Sequence, residues 1–227
     1  MTLLLRKKKS MMGKNKFITI EQMGDITAKI LNNSGYSLEW KGSVEAVPIE
    51  DIIEIDYGLE WKWGDLSYLN DEKVMAALYP RSREIVLNLP FQDLFKEKFG
   101  TMMFSLAHEL GHWMLHAEDV EGLQNPMFEN NVFYCRGNGE KSPIEYQADL
   151  FASCLLMPEA IIIPLIQNQW SKDGRITWKQ LYQIAEEFQV SISALTIRLQ
   201  QLRLLYIDGN KYIYHSREEA MGQQILF

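Results

Sequence analysis

The chain of 227 residues has little of what defines several large classes of protein. It has only two cysteines, Cys135 and Cys154, which are too few for a disulfide framework and fit a reducing cytoplasm. It has no run of 18 apolar residues, so we expect no membrane span and no membrane partner. Its early apolar run, 3–5, precedes the basic residues instead of following them, which does not predict a secretory signal peptide.

Charge is distributed unevenly along the chain. Residues 1–16 include six basic residues and no acidic one, which predicts a basic, disordered tail. Residues 170–227 include seven basic and six acidic residues, a net charge of +1. Because the whole chain has a net charge of −7, residues 17–169 must have a net charge of −14. An acidic surface of this kind suits a basic protein partner better than DNA, although ordinary surface solvation explains it equally well.

The most informative feature is the HELGH sequence at 108–112, inside a helix predicted over 101–116. Residues four apart share one helix face, so His108 and His112 can hold one metal ion between their imidazoles. Glu109 lies about 100° around the helix, close enough to reach a water on that metal without being a ligand. This is the pattern of zinc peptidases, with two histidine ligands and a glutamate general base. The alternative is a helix with two surface histidines and no metal.

The third ligand does not come from the same helix. A metzincin continues as HExxHxxGxxH, but Leu115 and Glu118 stand where that glycine and histidine belong. His116 lies a full turn beyond His112, too far along a straight helix to complete the same tetrahedron easily. We therefore expect His116 to pack against the site or support a ligand.

A second helix offers the missing ligand. Glu145 and Asp149 are four residues apart and therefore share a face. Glu145 can bind the metal, and Asp149 can accept a hydrogen bond from the outer nitrogen of a ligating histidine. A His, His, Glu set with water in the fourth position is typical of a catalytic site with one Zn²⁺ per chain. The alternative is an acidic helix N-terminus after Ser142-Pro143, where carboxylates interact favourably with the helix dipole.

The segments AHELGHWMLH (107–116) and IEYQADLFASCLLMP (144–158) together resemble the ImmA/IrrE family of gluzincin-like metallopeptidases. The resemblance implies that His108, His112 and Glu145 bind zinc and that Glu109 is the catalytic base. Characterised members, often carried by prophages and mobile elements, cleave a helix-turn-helix repressor and so derepress its genes. The resemblance thus implies a cytoplasmic zinc endopeptidase with a repressor as protein substrate. One departure is the long polar insert 125–142, a predicted loop that can reshape the cleft.

We predict an α+β fold that is mainly helical. A minimal zincin-like peptidase domain with a small β-sheet is expected over 17–170, after the basic tail 1–16. A helix-turn-helix or winged-helix-like segment is expected over 171–227. Within the peptidase domain, alternation predicts strands near 59–63, 74–79 and 84–88, and Thr19 to Gln22 forms a capping box that begins the first helix.

The C-terminal segment carries a second functional hypothesis. Residues 176–203 predict two helices around a turn, and 204–214 predict a hairpin, the layout of a winged-helix DNA-binding protein. The side chains that would reach DNA are Arg198, Gln200, Gln201 and Arg203. The segment's net charge of +1 is poor for a phosphate-binding face and favours packing or partner docking. A further alternative is a protein that binds a repressor and displaces it from DNA without cutting it.

Overall fold

In a computed structural model, the described residues are 17–69, 73–117, 133–136 and 142–222. The predicted basic tail and most of the predicted insert lie outside them. The fold of the described residues is α+β and mainly helical, as predicted, with one small mixed sheet.

The first helices follow local sequence signals. Helix α1 (Ile20–Asn33) begins at the predicted capping box, in which the Thr19 side chain accepts from the Gln22 backbone and the Gln22 side chain accepts from the Thr19 backbone. Helix α2 (Ile49–Asp51) follows Pro48 and continues into a π-helical turn over 52–56.

Four strands form the central sheet. They are β1 (Glu60–Gly64), β2 (Val74–Tyr79), β3 (Glu84–Asn88) and β4 (Phe133–Arg136), in the spatial order β1-β3-β2-β4. The pair β1–β3 is parallel, and β2 pairs antiparallel with both β3 and β4. The predicted strands at 74–79 and 84–88 are confirmed at those bounds. The predicted loop containing Cys135 is wrong, because 133–136 adds an edge strand to β2.

The long helices pack on this sheet. Helix α3 (Gln92–Glu97) leads into α4 (Phe99–Leu115), which matches the helix predicted over 101–116. Helix α5 (Pro143–Leu156) has Met157 as its C-cap, and α6 (Glu159–Asp173) begins after Pro158. The contact between α4 and α5 is the most extensive between any two elements of the described chain.

The C-terminal elements share the core of the preceding ones. Helices α7 (Trp178–Glu187) and α8 (Ile192–Gln201) lie at the predicted positions, before a hairpin of β5 (Tyr206–Ile207) and β6 (Ile213–Tyr214) and the short helix α9 (Arg217–Ala220). The hairpin strands are shorter than predicted. One continuous buried cluster includes residues of α1, the sheet, and α4 to α8. The domain boundary at 170/171 stays a prediction.

The turn between α7 and α8 reaches the helix that carries the HELGH sequence. A Cβ atom at Gly100, in the first turn of α4, would lie 2.4 Å from the carbonyl carbon of Val190. Only glycine fits such a close backbone approach. Among the described residues, no single helix has the length and hydropathy to cross a bilayer; α5 and 159–170 of α6 satisfy those criteria only as a pair bent by 65°.

Candidate metal centre

The site lies where α4 and α5 approach each other most closely. An added Cβ at Gly111 would lie 3.1 Å from Cδ1 of Phe151 and 3.2 Å from Cα of Ala148. Such distances are tighter than ordinary van der Waals contact, so the glycine of the HELGH sequence allows the two helices to touch. This brings the histidine face of α4 against the acidic face of α5.

Three of the predicted site residues converge on one point. Nε2 of His108 lies 3.0 Å from Nε2 of His112. Oε2 of Glu145 lies 3.2 Å from the His108 nitrogen, and Oε1 of the same carboxylate lies 3.2 Å from the His112 nitrogen. A tetrahedral zinc site with bonds of about 2.0 Å has ligand atoms about 3.3 Å apart, so these two nitrogens and the carboxylate are close enough together to bind one ion. Among the described residues, these three form the one group of candidate metal ligands.

The donor set also fits a cation chemically. Nδ1 of His108 lies 2.9 Å from a carboxylate oxygen of Asp149, which is an acceptor, so Nδ1 carries the proton and Nε2 presents a lone pair. That lone pair faces a Glu145 oxygen and the second imidazole nitrogen. Lone pairs at such distances repel one another unless a proton or a metal ion lies between them. Both histidines are buried and Glu145 is partly exposed, so the group is shielded on the α4 side and open on the α5 side.

The pKa values of the two histidines and of Glu145 are shifted by their burial and by their mutual contacts. Burial would lower the pKa of His108, but the hydrogen bonds to Asp149 and Glu145 outweigh it and raise that pKa to about 9. Burial lowers the pKa of His112. Burial would raise the pKa of Glu145, but its contacts with the two histidines lower it to about 2. The raised pKa of His108 and the lowered pKa of Glu145 share one cause, which is that the cluster favours a positive charge between its members.

Glu109 stands beside the ligand group without joining it. It is fully buried, and its charge is close enough to His108 to raise the pKa of that imidazole. A buried carboxylate next to a potential metal ligand is what a general base in this position requires. His116 follows the end of α4, with its ring 5.5 Å from that of His112, and is not among the converging ligands.

Sequence reasoning missed a contact that holds α4 in place. The guanidinium of Arg83, in the β2–β3 turn, lies 5.0 Å from the ring centroid of Trp113 and donates to the carbonyls of Tyr57 and Gly58. Arg83 has a φ of 60°, unusual for a non-glycine residue. No periodic pattern marks this residue, because its partners lie in two separate segments that are both distant from it in sequence.

The predicted DNA contact of Arg198 is wrong. Its side chain has no exposed surface and points into the protein, where Nη2 lies 3.2 Å from Glu159 and Nε lies 3.4 Å from the carbonyl of Met157. The physical reason is helical spacing, because Arg198 lies on the same buried stripe as Leu195 and Leu199.

Comparison with known proteins agrees with this geometry. Residues 100–200, which include both metal-site helices, match the peptidase family described as the IrrE N-terminal-like domain. This match agrees with the resemblance of the chain to the ImmA/IrrE family. No curated protein matches the chain in sequence. Among solved structures, a Mycobacterium tuberculosis transcriptional regulator is similar over 85% of this chain and 53% of its own, with 12% identity and a TM-score of 0.48. The chain thus spans about half the length of that regulator.

Proposed function

We propose that this protein is a zinc metalloendopeptidase, with one Zn²⁺ per chain held by His108, His112 and Glu145. The observation that carries the proposal is the convergence of two buried imidazole nitrogens and a carboxylate at 3.0–3.2 Å, with Glu109 buried beside them. A closed structural site would use a fourth protein ligand, whereas three ligands leave a position for water or substrate.

The proposed chemistry divides between the metal and the chain. When bound, zinc supplies a Lewis acid that polarises a peptide carbonyl and makes a coordinated water more acidic. Glu109 accepts the proton of the attacking water on its carboxylate and passes it to the leaving amine. Asp149 holds the Nδ1 proton of His108, which keeps Nε2 of that imidazole available as a ligand.

We propose a helix-turn-helix repressor as the protein substrate, since members of the resembled family cleave such repressors. The charge distribution supports a basic partner, because residues 17–169 hold a net charge of −14. Cleavage of the repressor would derepress the genes that it silences.

The test incubates the zinc-loaded full chain with a helix-turn-helix repressor encoded nearby and follows fragments by gel electrophoresis and mass spectrometry. The wild-type chain is expected to yield two fragments from one cut, and the Glu109→Gln variant to yield none in the same time. Equal fragments from both proteins would indicate a contaminating protease and overturn the assignment of Glu109.

A second candidate function is repressor binding without proteolysis. Large apolar side chains are exposed on α7 and α8, at Tyr182 (58%) and Ile197 (55%), while Arg198 is buried. Such a surface favours a protein partner over DNA phosphates. A stable complex with an intact repressor, formed equally by wild type and Glu109→Gln, would favour this candidate over the peptidase.

A further inference from the structure

A second cleft lies at the other end of α5 from Glu145. It has a volume of about 370 Å³ and is bounded by α1, the corner between α5 and α6, and α8. Its lining includes Leu38, Cys154 and Pro158. Clefts that take small molecules measure roughly 300–1,000 Å³, so this one is large enough for a small ligand and too small for a folded partner. Nothing in the proposed peptidase chemistry uses it.

The lining includes a buried cation, Arg198, whose hydrogen bonds are incomplete. Arg198 has no exposed surface, and it uses Nη2 and Nε to contact Glu159 and the Met157 carbonyl. Its Nη1 atom is buried and has no hydrogen-bond partner among the described residues. A guanidinium has five N–H donors in a fixed fork, and leaving those of a buried nitrogen unused is costly. Arg198 therefore presents a buried hydrogen-bond donor without an acceptor in this cleft.

The neighbouring Cys154 thiol interacts with Arg198, but it does not replace an anionic acceptor. Burial raises the pKa of Cys154 to about 11, so that its side chain is a neutral thiol and a weak acceptor at ordinary pH. Glu159 is the carboxylate that pairs with Arg198, and its side chain is 38% exposed at the edge of the cleft. An acceptor supplied by a ligand would complete the hydrogen bonding of the guanidinium, for which a carboxylate is the best match.

The rim of the cleft has the opposite charge. Glu21 and Asp25, one helical turn apart on α1, are exposed and line the cleft together with Glu159. These carboxylates outnumber the single guanidinium, so a simple anion is repelled on its way in and an ammonium group is attracted. Gly24 lies between them on α1, and an added Cβ there would lie 3.6 Å from Oε1 of Glu159. Helix α1 therefore lies close to the Arg198–Glu159 pair.

We propose that this cleft binds a small zwitterion of the α-amino-acid type, with its carboxylate on Arg198 and its ammonium group between Glu21 and Asp25. The carboxylate of such a ligand complements the guanidinium inside the cleft, and its ammonium group complements the carboxylates at the rim. A plain anion or a plain amine complements only one of these two charges. The site is independent of the metal centre and of the peptidase assignment.

The test is a panel of the twenty free amino acids, screened against the full chain by thermal shift and then titrated by calorimetry in a buffer free of amines and carboxylates. Each titration uses both zinc-loaded and chelator-treated protein, because amino acids can themselves bind zinc. Every amino acid that binds is compared with its decarboxylated amine and its deaminated acid. We expect at least one amino acid to bind saturably to both forms of the protein, and both analogues to bind at least about tenfold more weakly.

Charge variants locate the site. The double variant Glu21→Gln/Asp25→Asn is expected to weaken binding at least about tenfold. Its matched control, Glu186→Gln/Glu187→Gln, removes two exposed charges on α7, outside the cleft, and should bind as the wild type does. Arg198→Lys, which keeps the charge but loses the forked donors, should also bind at least about tenfold more weakly; if it does not fold, the double variant decides. Absence of binding by every amino acid, equal binding of the decarboxylated amine, or wild-type affinity in the double variant would overturn the proposal.

Discussion

Nδ1 of His108, on α4, lies 2.9 Å from Oδ1 of Asp149, on α5. This contact joins the two helices that carry the ligand group and sets which nitrogen of His108 faces the metal position. Because the same imidazole contacts Glu145 through Nε2, both nitrogens of His108 are engaged by α5.

Removing the Asp149 carboxylate should weaken zinc binding without abolishing it. Partners that orient a ligating histidine typically contribute about 10–100-fold to metal affinity. We expect Asp149→Ala to fall in that range and Asp149→Asn to lose less, because its amide oxygen still accepts the Nδ1 proton. Competition with a chromophoric zinc chelator measures both. Affinities equal to wild type in both variants would mean that His108 is oriented by other contacts.

Loss of the ligand itself should be more severe. Glu145→Ala removes a carboxylate whose two oxygens lie 3.2 Å from His108 and from His112, respectively, so zinc affinity should fall by more than the roughly 100-fold limit for a supporting residue. Asp149→Ala serves as the matched control on the same helix. If Glu145→Ala binds zinc as tightly as Asp149→Ala, then Glu145 is not a ligand.

The buried Glu109 should be separable from metal binding. We expect Glu109→Gln to retain about one zinc per chain and to lose at least about 100-fold in the rate of repressor cleavage, since a positioned general base typically contributes that much or more. Glu97→Gln, an exposed change on α3, is the control for removing one negative charge. Joint loss of zinc and activity in Glu109→Gln would assign it a structural role.

Three helical glycines should respond differently to alanine. At Gly24 the added Cβ makes ordinary contacts, so the helix propensity of alanine should stabilise the protein by up to about 1 kcal/mol. At Gly111 the methyl group meets α5 at 3.1–3.2 Å, which should offset that gain and lower zinc affinity by separating the helices. Gly100→Ala should cost the most, about 1–3 kcal/mol, because its Cβ meets backbone. Urea unfolding gives the order, and a stabilising Gly100→Ala would contradict the close approach to Val190.

The buried Tyr36 and the half-buried Tyr57 should make stability fall at alkaline pH. Burial is the main cause that raises the pKa of Tyr36 and of Tyr57 to about 12, above the ordinary value of about 10. The folded state keeps these protons while the unfolded chain loses them, so the free energy of unfolding should decline as pH rises from 10 to 12. Tyr36→Phe should reduce that decline, measured by urea unfolding across pH, whereas the exposed control Tyr182→Phe should not. A decline unchanged in Tyr36→Phe would exclude its contribution.

Local sequence patterns were enough to predict most helices and the candidate metal ligands. The features that were missed depend on contacts between residues far apart in sequence. The spacing of His108, His112, Glu145 and Asp149 identified the converging residues, because a helix fixes which residues share a face. Spacing does not reveal that two helices touch at Gly111. The edge strand β4 was missed because its pairing partner is more than fifty residues away in sequence. The position of Arg198 beside Leu199 on the apolar stripe of α8 is enough to predict that its side chain is buried. The prediction was wrong because a charged side chain was assumed to be exposed.

The most direct test of the account is the metal content per chain, measured by elemental analysis of the wild type beside His108→Ala after zinc has been offered to both. We expect about one zinc in the wild type and none in the variant, with circular dichroism showing both proteins folded. Absence of metal from a folded wild type, or equal zinc in the two proteins, would contradict the metal centre and with it the proposed peptidase.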